Sequence, residues 1–245
     1  MRTLLRLRKL FDVLGSKAQA GALFQERVLA ATEHRPVLAS DLRSIIDIGA
    51  NRGQFALASR RWSPRATLVS FEPLQRPAST FRRIFAGDGQ VRLIEAAVGP
   101  RSERATIHLS ARDDSSSLLP IGALQSTLFP GTAEVGTEQI QMGRLSDFLT
   151  TEQIERPALL KIDVQGYELE CLRGCEDLLP RFDRIYCECS FVELYSGQSL
   201  AGEVVQWLGE RGFRLRDMFN PALGRGSSQI VQADFLFESD AARAA

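Results

Sequence analysis

The chain has 245 residues, 44% of them hydrophobic and 24% charged, proportions that suit one sizeable globular domain with a short extension. Thirty basic and thirty acidic residues cancel, so bulk charge points to neither nucleic acid nor an anionic membrane. No apolar run approaches the ~20 residues that span a bilayer. Arg6, Arg8, Lys9 and Asp12 interrupt the stretch that would be the uncharged core of a signal peptide ahead of Ala18-Gln19-Ala20, and a cytoplasmic location is expected.

Leu4, Leu7, Phe11 and Leu14 recur at helical spacing with Arg2, Arg6, Arg8 and Lys9 around them. This basic amphipathic helix either packs on the domain or contacts a membrane surface or a partner. A second helical pattern follows at Leu23, Phe24, Arg27 and Val28. Residues 1–41 are therefore expected to be a helical extension and residues 42–245 the main domain. Strand patterns then fall at Ser44–Ile48, Thr67–Phe71, Val91–Val98, Leu159–Asp163, Arg184–Cys189, Phe213–Asp217 and Ile230–Phe237. Helical patterns lie between most of them, at Gly53–Arg61, Pro77–Phe85, Gly166–Leu179 and Leu200–Arg211. Such alternation predicts an α/β fold with a doubly wound, mostly parallel seven-stranded sheet. The last two strands are joined without a helix, which predicts an antiparallel hairpin at the sheet edge.

One region breaks the alternation. Arg104–Ser110 and Glu138–Arg144 read as extra strands around an insert at about 110–137 that includes Asp113-Asp114-Ser115-Ser116-Ser117. A connection this long in a compact domain is expected to be a lid or a substrate-facing insert. Cys171 and Cys175 lie on one predicted helix, and Cys187 and Cys189 on one predicted strand. This is no usual zinc spacing, so they are expected to be small buried hydrophobes.

The chemistry gathers at predicted strand ends. The first strand runs into Asp47-Ile48-Gly49-Ala50-Asn51-Arg52-Gly53-Gln54, a glycine-bearing turn opening onto a helix. A dinucleotide fingerprint would carry a middle glycine where Asn51 stands. The carboxylate of Asp47 would repel a pyrophosphate, yet it suits the ammonium of S-adenosylmethionine. The second strand ends in Glu72-Pro73, 23 positions after Gly49, close to the ~20 expected for an acid that accepts ribose hydroxyls. Ala96 and Ala97 leave room for a flat adenine. Asp163 ends the fourth strand and Glu188 the fifth. Asp163 is the candidate general base, and the two together are candidate ligands for a divalent cation such as Mg²⁺. His108, on an extra strand beside the insert, is a further candidate base, and His34 is assigned no role.

Taken in order, Asp47-Ile-Gly-Ala-Asn-Arg-Gly, Phe71-Glu72-Pro73, Ala96-Ala97-Val98-Gly99 and Lys161-Ile-Asp163-Val-Gln-Gly166-Tyr-Glu168 closely resemble the FkbM family of S-adenosylmethionine-dependent methyltransferases. Ser116-Ser117-Leu118, Leu145-Ser146-Asp147-Phe148 and Leu172-Arg173-Gly174 add to the likeness, which covers roughly residues 42–238. The resemblance implies a Rossmann-like class I methyltransferase fold with an antiparallel terminal strand. It also implies methyl transfer to a hydroxyl of a sugar, glycan or natural product. By position, Asp47, Gly49, Asn51 and Gly53 would line the methionine part of the cofactor, with Ala50 and Gln54 of the same turn as further cofactor-binding candidates. Glu72 would hold the ribose, with Pro73, Ala97 and Asp163 as further cofactor-binding candidates. Asp163, Gly166 and Glu168 would floor the reaction site. Many members carry an acid where Gln165 stands here, which bears on any mechanism that needs a carboxylate at that position. Two other classes share such a shell: a nicotinamide-dependent oxidoreductase, and a binding protein that has lost catalysis.

Overall fold

The computed structural model describes residue 13, residues 15–224 and residues 228–243 of the chain. The basic pattern at Leu4, Leu7, Phe11 and Leu14 lies outside these residues. Among them, no helix is long and apolar enough to cross a membrane.

A seven-stranded sheet forms the centre. Its strands are β1 (Ser44–Ile48), β2 (Thr67–Phe71), β3 (Val91–Ile94), β7 (Ala158–Ile162), β8 (Arg184–Ser190), β9 (Phe213–Leu223) and β10 (Ile230–Ser239). They lie in the order β3-β2-β1-β7-β8-β10-β9. Neighbours are parallel up to β8; β10 then runs antiparallel to both β8 and β9. This is the doubly wound, mostly parallel sheet expected from the strand-helix alternation, in the Rossmann-like form that the family resemblance implies. The first and fourth of the parallel strands read as near-continuous apolar runs because both faces are covered. Helices α2 (Gln54–Trp62) and α3 (Gln75–Ile84) bury Phe55, Ala56 and Phe81 on one face, together with Ile45, Leu68 and Leu159. Helices α6 (Glu168–Cys175) and α7 (Ala201–Gly209) bury Leu172, Val204 and Leu208 on the other. Each such aliphatic side chain contributes about 1.5–3 kcal/mol on leaving water.

Three elements differ from the sequence pattern. Residues 91–98 were expected to be one strand but divide, because β3 ends at Ile94 and Ala97–Val98 (β4) turn away to pair with another strand. The expected helix at Gly166–Leu179 begins at Glu168, since Gln165 and Gly166 take positive φ angles of 55° and 97°. It gives way after Cys175 to a 3₁₀ turn containing Pro180, which has no amide to continue the helix. The edge strand expected to end at Asp217 runs on to Leu223 because β10 is long enough to pair with it.

The insert also has structure. Strands β5 (Glu103–Ser110) and β6 (Glu134–Gly143) pair antiparallel, and β4 completes a small three-stranded sheet. Between them lie a 3₁₀ turn at Asp113–Ser115 and helix α4 (Ala123–Leu128), and the short helix α5 (Leu145–Phe148) follows β6. Helix α1 (Lys17–Glu26) ends on Arg27, so the helical pattern at Leu23, Phe24, Arg27 and Val28 is only partly helix. Ala22 and Val28 pack on Leu57, whereas Phe24 is exposed. All four cysteines are buried and unbridged.

Two features fix the centre of the sheet. Asp47 on β1 stands opposite Lys161 on β7, and their charges pair at 3.0 Å with almost no solvent exposure. Lys161 Nζ also donates to the Gly49 carbonyl at 2.9 Å, so the pair anchors the turn after β1. Burial pulls the Lys161 ammonium toward deprotonation, but the charges of Asp47 and Asp163 outweigh it and raise its pKa. Above that pair, Gly49 sits at φ 80°, and a Cβ there would fall 1.8 Å from the Asp163 carbonyl oxygen. Only glycine lets the two strand ends approach this closely.

Lys161→Met leaves the Asp47 charge buried without a counter-ion. It is expected to cost about 3–5 kcal/mol, with most of the loss recovered in Asp47→Leu/Lys161→Met. Urea unfolding of the single and double variants checks this, and equal losses in the two would contradict it. Gly49→Ala should cost about 3 kcal/mol or more, from overpacking plus a strained backbone, read from the same unfolding curves.

Candidate active site

A cavity of about 330 Å³ opens at the carboxyl ends of β1, β2 and β7. The chain order along the sheet reverses at β1, where an open α/β sheet leaves a crevice for a ligand. Gly49, Ala50, Asn51 and Gln54 line it from the first turn, Glu72, Pro73 and Leu74 from the second strand end, and Lys161 and Asp163 from β7.

The first turn keeps its amides for itself. Gly49 and Ala50 donate to the Phe71 carbonyl at 3.1 and 2.9 Å, and Gly53 donates to Ala50 at 2.9 Å. The Asn51 amide donates to Glu72 Oε2 at 2.9 Å, and the Arg52 amide to Asn51 Oδ1 at 2.8 Å. A phosphate cradle needs such amides free and converging on the ligand. Asn51 takes φ 47°, a left-handed conformation that asparagine tolerates better than most residues. It thereby does the work of the middle glycine while its side chain caps the turn.

Glu72 is buried and accepts from Asn51 through Oε2 and from Leu74 through Oε1 at 2.8 Å. Each carboxylate oxygen retains a lone pair for a ligand hydroxyl. Burial pushes its carboxyl up to about 7, against the pull of the two amides and of Lys161. Next to it Ala96 and Ala97 face Leu74, Ile107, Leu118 and Tyr167, forming an apolar slot between the main sheet and the insert.

The opposite end is polar. The Asp163 side chain is 39% exposed, accepts from Gln165 Nε2 at 2.7 Å, and lies 3.9 Å from Lys161 Nζ. In the cavity wall, Gln54 Oε1 is buried with no hydrogen-bond partner among the described residues, which leaves an acceptor open to a donor. His34, from the segment before β1, also lines this end.

The insert covers the cavity. Asp113, Asp114, Ser116, Ser117 and Leu118 line it. The Asp113 carboxylate pairs with the Arg52 guanidinium, whose Nε donates at 3.0 Å, and its carbonyl accepts from Asn51 Nδ2 at 3.2 Å. Ser117 Oγ donates to the Gln165 carbonyl at 2.6 Å. The residues at 110–137 are thus latched to both strand ends.

Several residues singled out in the sequence stand elsewhere. Asp47 lies beneath the cavity, spent on Lys161. Gly53 backs onto Phe81 and Phe85. Glu168 accepts from the amides of Val164 and Gly166 at 3.2 and 3.0 Å, holding the turn after β7. Gly166 packs against Tyr195. His108, on β5, pairs with Glu134 at 3.1 Å, away from the cavity wall. Glu188 is also off the wall, where its carboxylate accepts from Gln165 Nε2 at 2.9 Å and from Gln232 Nε2 at 2.6 Å. Burial, then the carboxylates of Asp163, Asp234 and Glu168, push its pKa well up.

The Gln165 amide therefore sits between Asp163 and Glu188, where a shared cation would have to sit. It donates to both carboxylates, and a carboxylate at position 165 would instead add a third negative charge. Among the described residues no cluster of three or more His, Cys, Asp or Glu side chains has the arrangement of a metal site. The donor set does not fit the Mg²⁺ expected between Asp163 and Glu188.

Lys161 and His34 are among the cavity residues that had no role on sequence grounds. Lys161 was visible as a charge inside an apolar strand, a signal that it must face a partner on the neighbouring strand. His34 had no local signal, because only the fold carries the segment before β1 to the cavity.

Comparison with known proteins bears on the same residues. A family model described as "Methyltransferase FkbM domain" matches residues 47–215. The "2-O-methyltransferase NoeI" of Sinorhizobium fredii (strain NBRC 101917 / NGR234) is 31% identical over 165 residues, covering 63% of this chain and 66% of that protein. "Methyltransferase 1" of Beauveria bassiana (strain ARSEF 2860) is 31% identical over 148 residues, covering 54% of this chain and 58% of that protein. The "31-O-demethyl-FK506 methyltransferase FkbM" of Streptomyces tacrolimicus is 26% identical over 199 residues, 69% of this chain and 72% of that protein. The matches to the first two relatives span just under two thirds and under three fifths of those proteins. The family match runs from Asp47 through the cavity-lining strand ends to Leu215, and the chain belongs to the FkbM methyltransferase domain family.

Proposed function

We propose that this protein transfers the methyl group of S-adenosylmethionine to a hydroxyl of a small molecule, sugar or glycan. The observation that carries the reading is the first turn, whose five amides from Gly49 to Gly53 are all engaged within the protein. It suits a nucleoside ligand without phosphates. By the same token it tells against the nicotinamide-dependent alternative, whose pyrophosphate would need those amides.

The cavity's donors and acceptors match the cofactor part by part. Glu72 accepts the two ribose hydroxyls with its remaining lone pairs. The slot at Ala97, Leu118 and Tyr167 takes the adenine. At the polar end, the unpartnered Gln54 Oε1 and the Asp163 carboxylate accept from the methionine ammonium. When bound, the cofactor supplies a methyl already activated on a sulfonium. The chain's own task is to align an acceptor hydroxyl and exclude water. The latched insert performs the exclusion, and the cavity's polar end receives the hydroxyl. The printed names of two relatives, a 2-O-methyltransferase and a 31-O-demethyl-FK506 methyltransferase, support oxygen as the atom methylated.

Calorimetry should record binding of S-adenosylhomocysteine, and no heat with well-folded protein would sink the reading. Glu72→Ala should weaken that binding about 10- to 100-fold, the loss of hydrogen bonds to a charged acceptor. A Glu72→Ala variant that binds as tightly as the parent would remove the ribose assignment.

The pH dependence follows from the Glu72 carboxyl, raised from 4.5 to about 7 in the folded protein. The folded state then holds a proton that the unfolded state has released. The associated stability is present in full below about 4.5 and is lost as pH rises through about 7. Glu168, also raised to about 7 by burial, acts in the same direction. The urea midpoint of the ligand-free protein is expected to fall between pH 5 and pH 8. Ligand hydroxyls favour the ionised Glu72, so S-adenosylhomocysteine should bind more tightly at pH 8 than at pH 6, and this slope should vanish in Glu72→Ala.

A further inference from the structure

His34 is one of two histidines in the chain, and it stands in a network the cofactor assignments leave unused. It belongs to a 3₁₀ turn at Thr32–Val37. Its ring meets Phe55 and Tyr186 edge-on, with centroids 5.4 and 5.5 Å apart. Nδ1 lies 2.9 Å from the Tyr186 hydroxyl, and that hydroxyl donates to Asp234 Oδ2 at 2.8 Å. Asn220 Nδ2 donates to Asp234 Oδ2 at 2.7 Å and to the Tyr186 oxygen at 3.2 Å.

The Tyr186–Asp234 contact favours one histidine tautomer, with the Asn220 amide also 3.5 Å from His34 Nδ1. Tyr186 has one hydroxyl proton, and the Asp234 carboxylate at 2.8 Å, which can only accept, is the partner assigned to it. The Tyr186 oxygen can then only accept from His34, so Nδ1 carries the proton. Nε2 keeps its lone pair and has no partner among the described residues. The His34 side chain is 18% exposed and lines the polar end of the cavity with Asp163 and Lys161.

We propose that His34 is the general base of the reaction, with Tyr186 and Asp234 as positioning residues that hold it as the Nδ1–H tautomer. The proposal rests on the methyltransferase reading above. The acceptor oxygen forms its bond to the methyl carbon as the carbon–sulfur bond breaks, and the electron pair of that bond stays on sulfur. The hydroxyl proton passes to His34 Nε2, so the positive charge of the sulfonium reappears on the imidazolium. That charge faces Asp234 through the Tyr186 hydroxyl. A neutral imidazole, with a reference pKa of about 6.5, is a stronger base than a carboxylate at about 3.9. Asp163 then aligns the hydroxyl or the cofactor ammonium, as a hydrogen-bond acceptor.

The surroundings keep His34 neutral. Burial lowers its pKa, against the upward pull of Asp234 on β10, Glu33 on its own turn and Asp163 beyond β7, while Lys161 pushes it further down. Tyr186, on β8, is held in its neutral phenolic form by burial and by Asp234.

Long-range proton–nitrogen correlation spectra of the ¹⁵N-labelled full chain test the network directly, with His108→Asn to assign the second histidine. His34 is expected as the Nδ1–H tautomer at pH 7.5, titrating below the ordinary value. S-adenosylhomocysteine should move its signals and leave those of His108 in place. Tyr186→Phe should abolish the tautomer preference without changing affinity for S-adenosylhomocysteine. A His34 in the Nε2–H form, or one titrating above the ordinary value, would overturn the proposal. Methyl transfer to a panel of pyranosides gives the second readout. His34→Gln should lower turnover about 100-fold or more at unchanged S-adenosylhomocysteine affinity, and undiminished turnover would also overturn it. A parent protein that binds no S-adenosylhomocysteine sinks the methyltransferase reading instead, and the tautomer, read in the free protein, still decides whether the relay exists.

Discussion

The charge pair between Asp47 and Lys161 is the constraint around which the site is built. Two opposite charges on adjacent central strands are carried out of water together, which is tolerable only while both remain. The Lys161 ammonium spends its other protons on the carbonyls at the end of β1. It therefore ties the first glycine turn to β7 at the level where the two strands diverge. Everything that lines the cavity from β1 inherits its position from that tie. The acid at the end of β1 thus acts from beneath the cavity, by fixing the turn that lines it.

Around that anchor, the polar residues divide into those that hold the backbone and those left open to a ligand. Glu168 fastens the turn after β7, and the Gln165 amide separates two carboxylates that would otherwise repel each other. Glu72 does both tasks, since it fastens the first turn and still faces the cavity. Asp163, Gln54 and His34 face it with capacity to spare. Burial that raises the carboxyl of Glu72 to about 7 also means that a ligand offering hydroxyl donors changes its protonation most near neutral pH.

The insert turns an open crevice into an enclosed one. Its flanking strands β5 and β6 form, with β4, a separate small sheet that supplies Ile107 to the apolar slot, and its first turn is latched to Arg52 and Asn51. The same segment is tied beside the polar end, where the Ser117 hydroxyl donates to the Gln165 carbonyl. The insert adds this cover without contributing to the core of the main sheet.

The sequence by itself determined the strands of the main sheet and the three acids at strand ends, Asp47, Glu72 and Asp163. These signals are local: apolar runs, breaks at glycine, and charges placed where a strand must stop. It could not divide residues 91–98 between two sheets, because that choice depends on β6, more than forty residues away in the chain. Nor could it tell Asp47 from Glu72. Both are acids at strand ends, and only the side-chain direction and the partner across the sheet make one a buried anchor and the other a cavity wall. His34 was beyond local reading for the same reason. Its surroundings are Tyr186, Asn220 and Asp234, three residues from β8, β9 and β10 that meet it only after the sheet has formed, and a histidine's proton is placed by its partners.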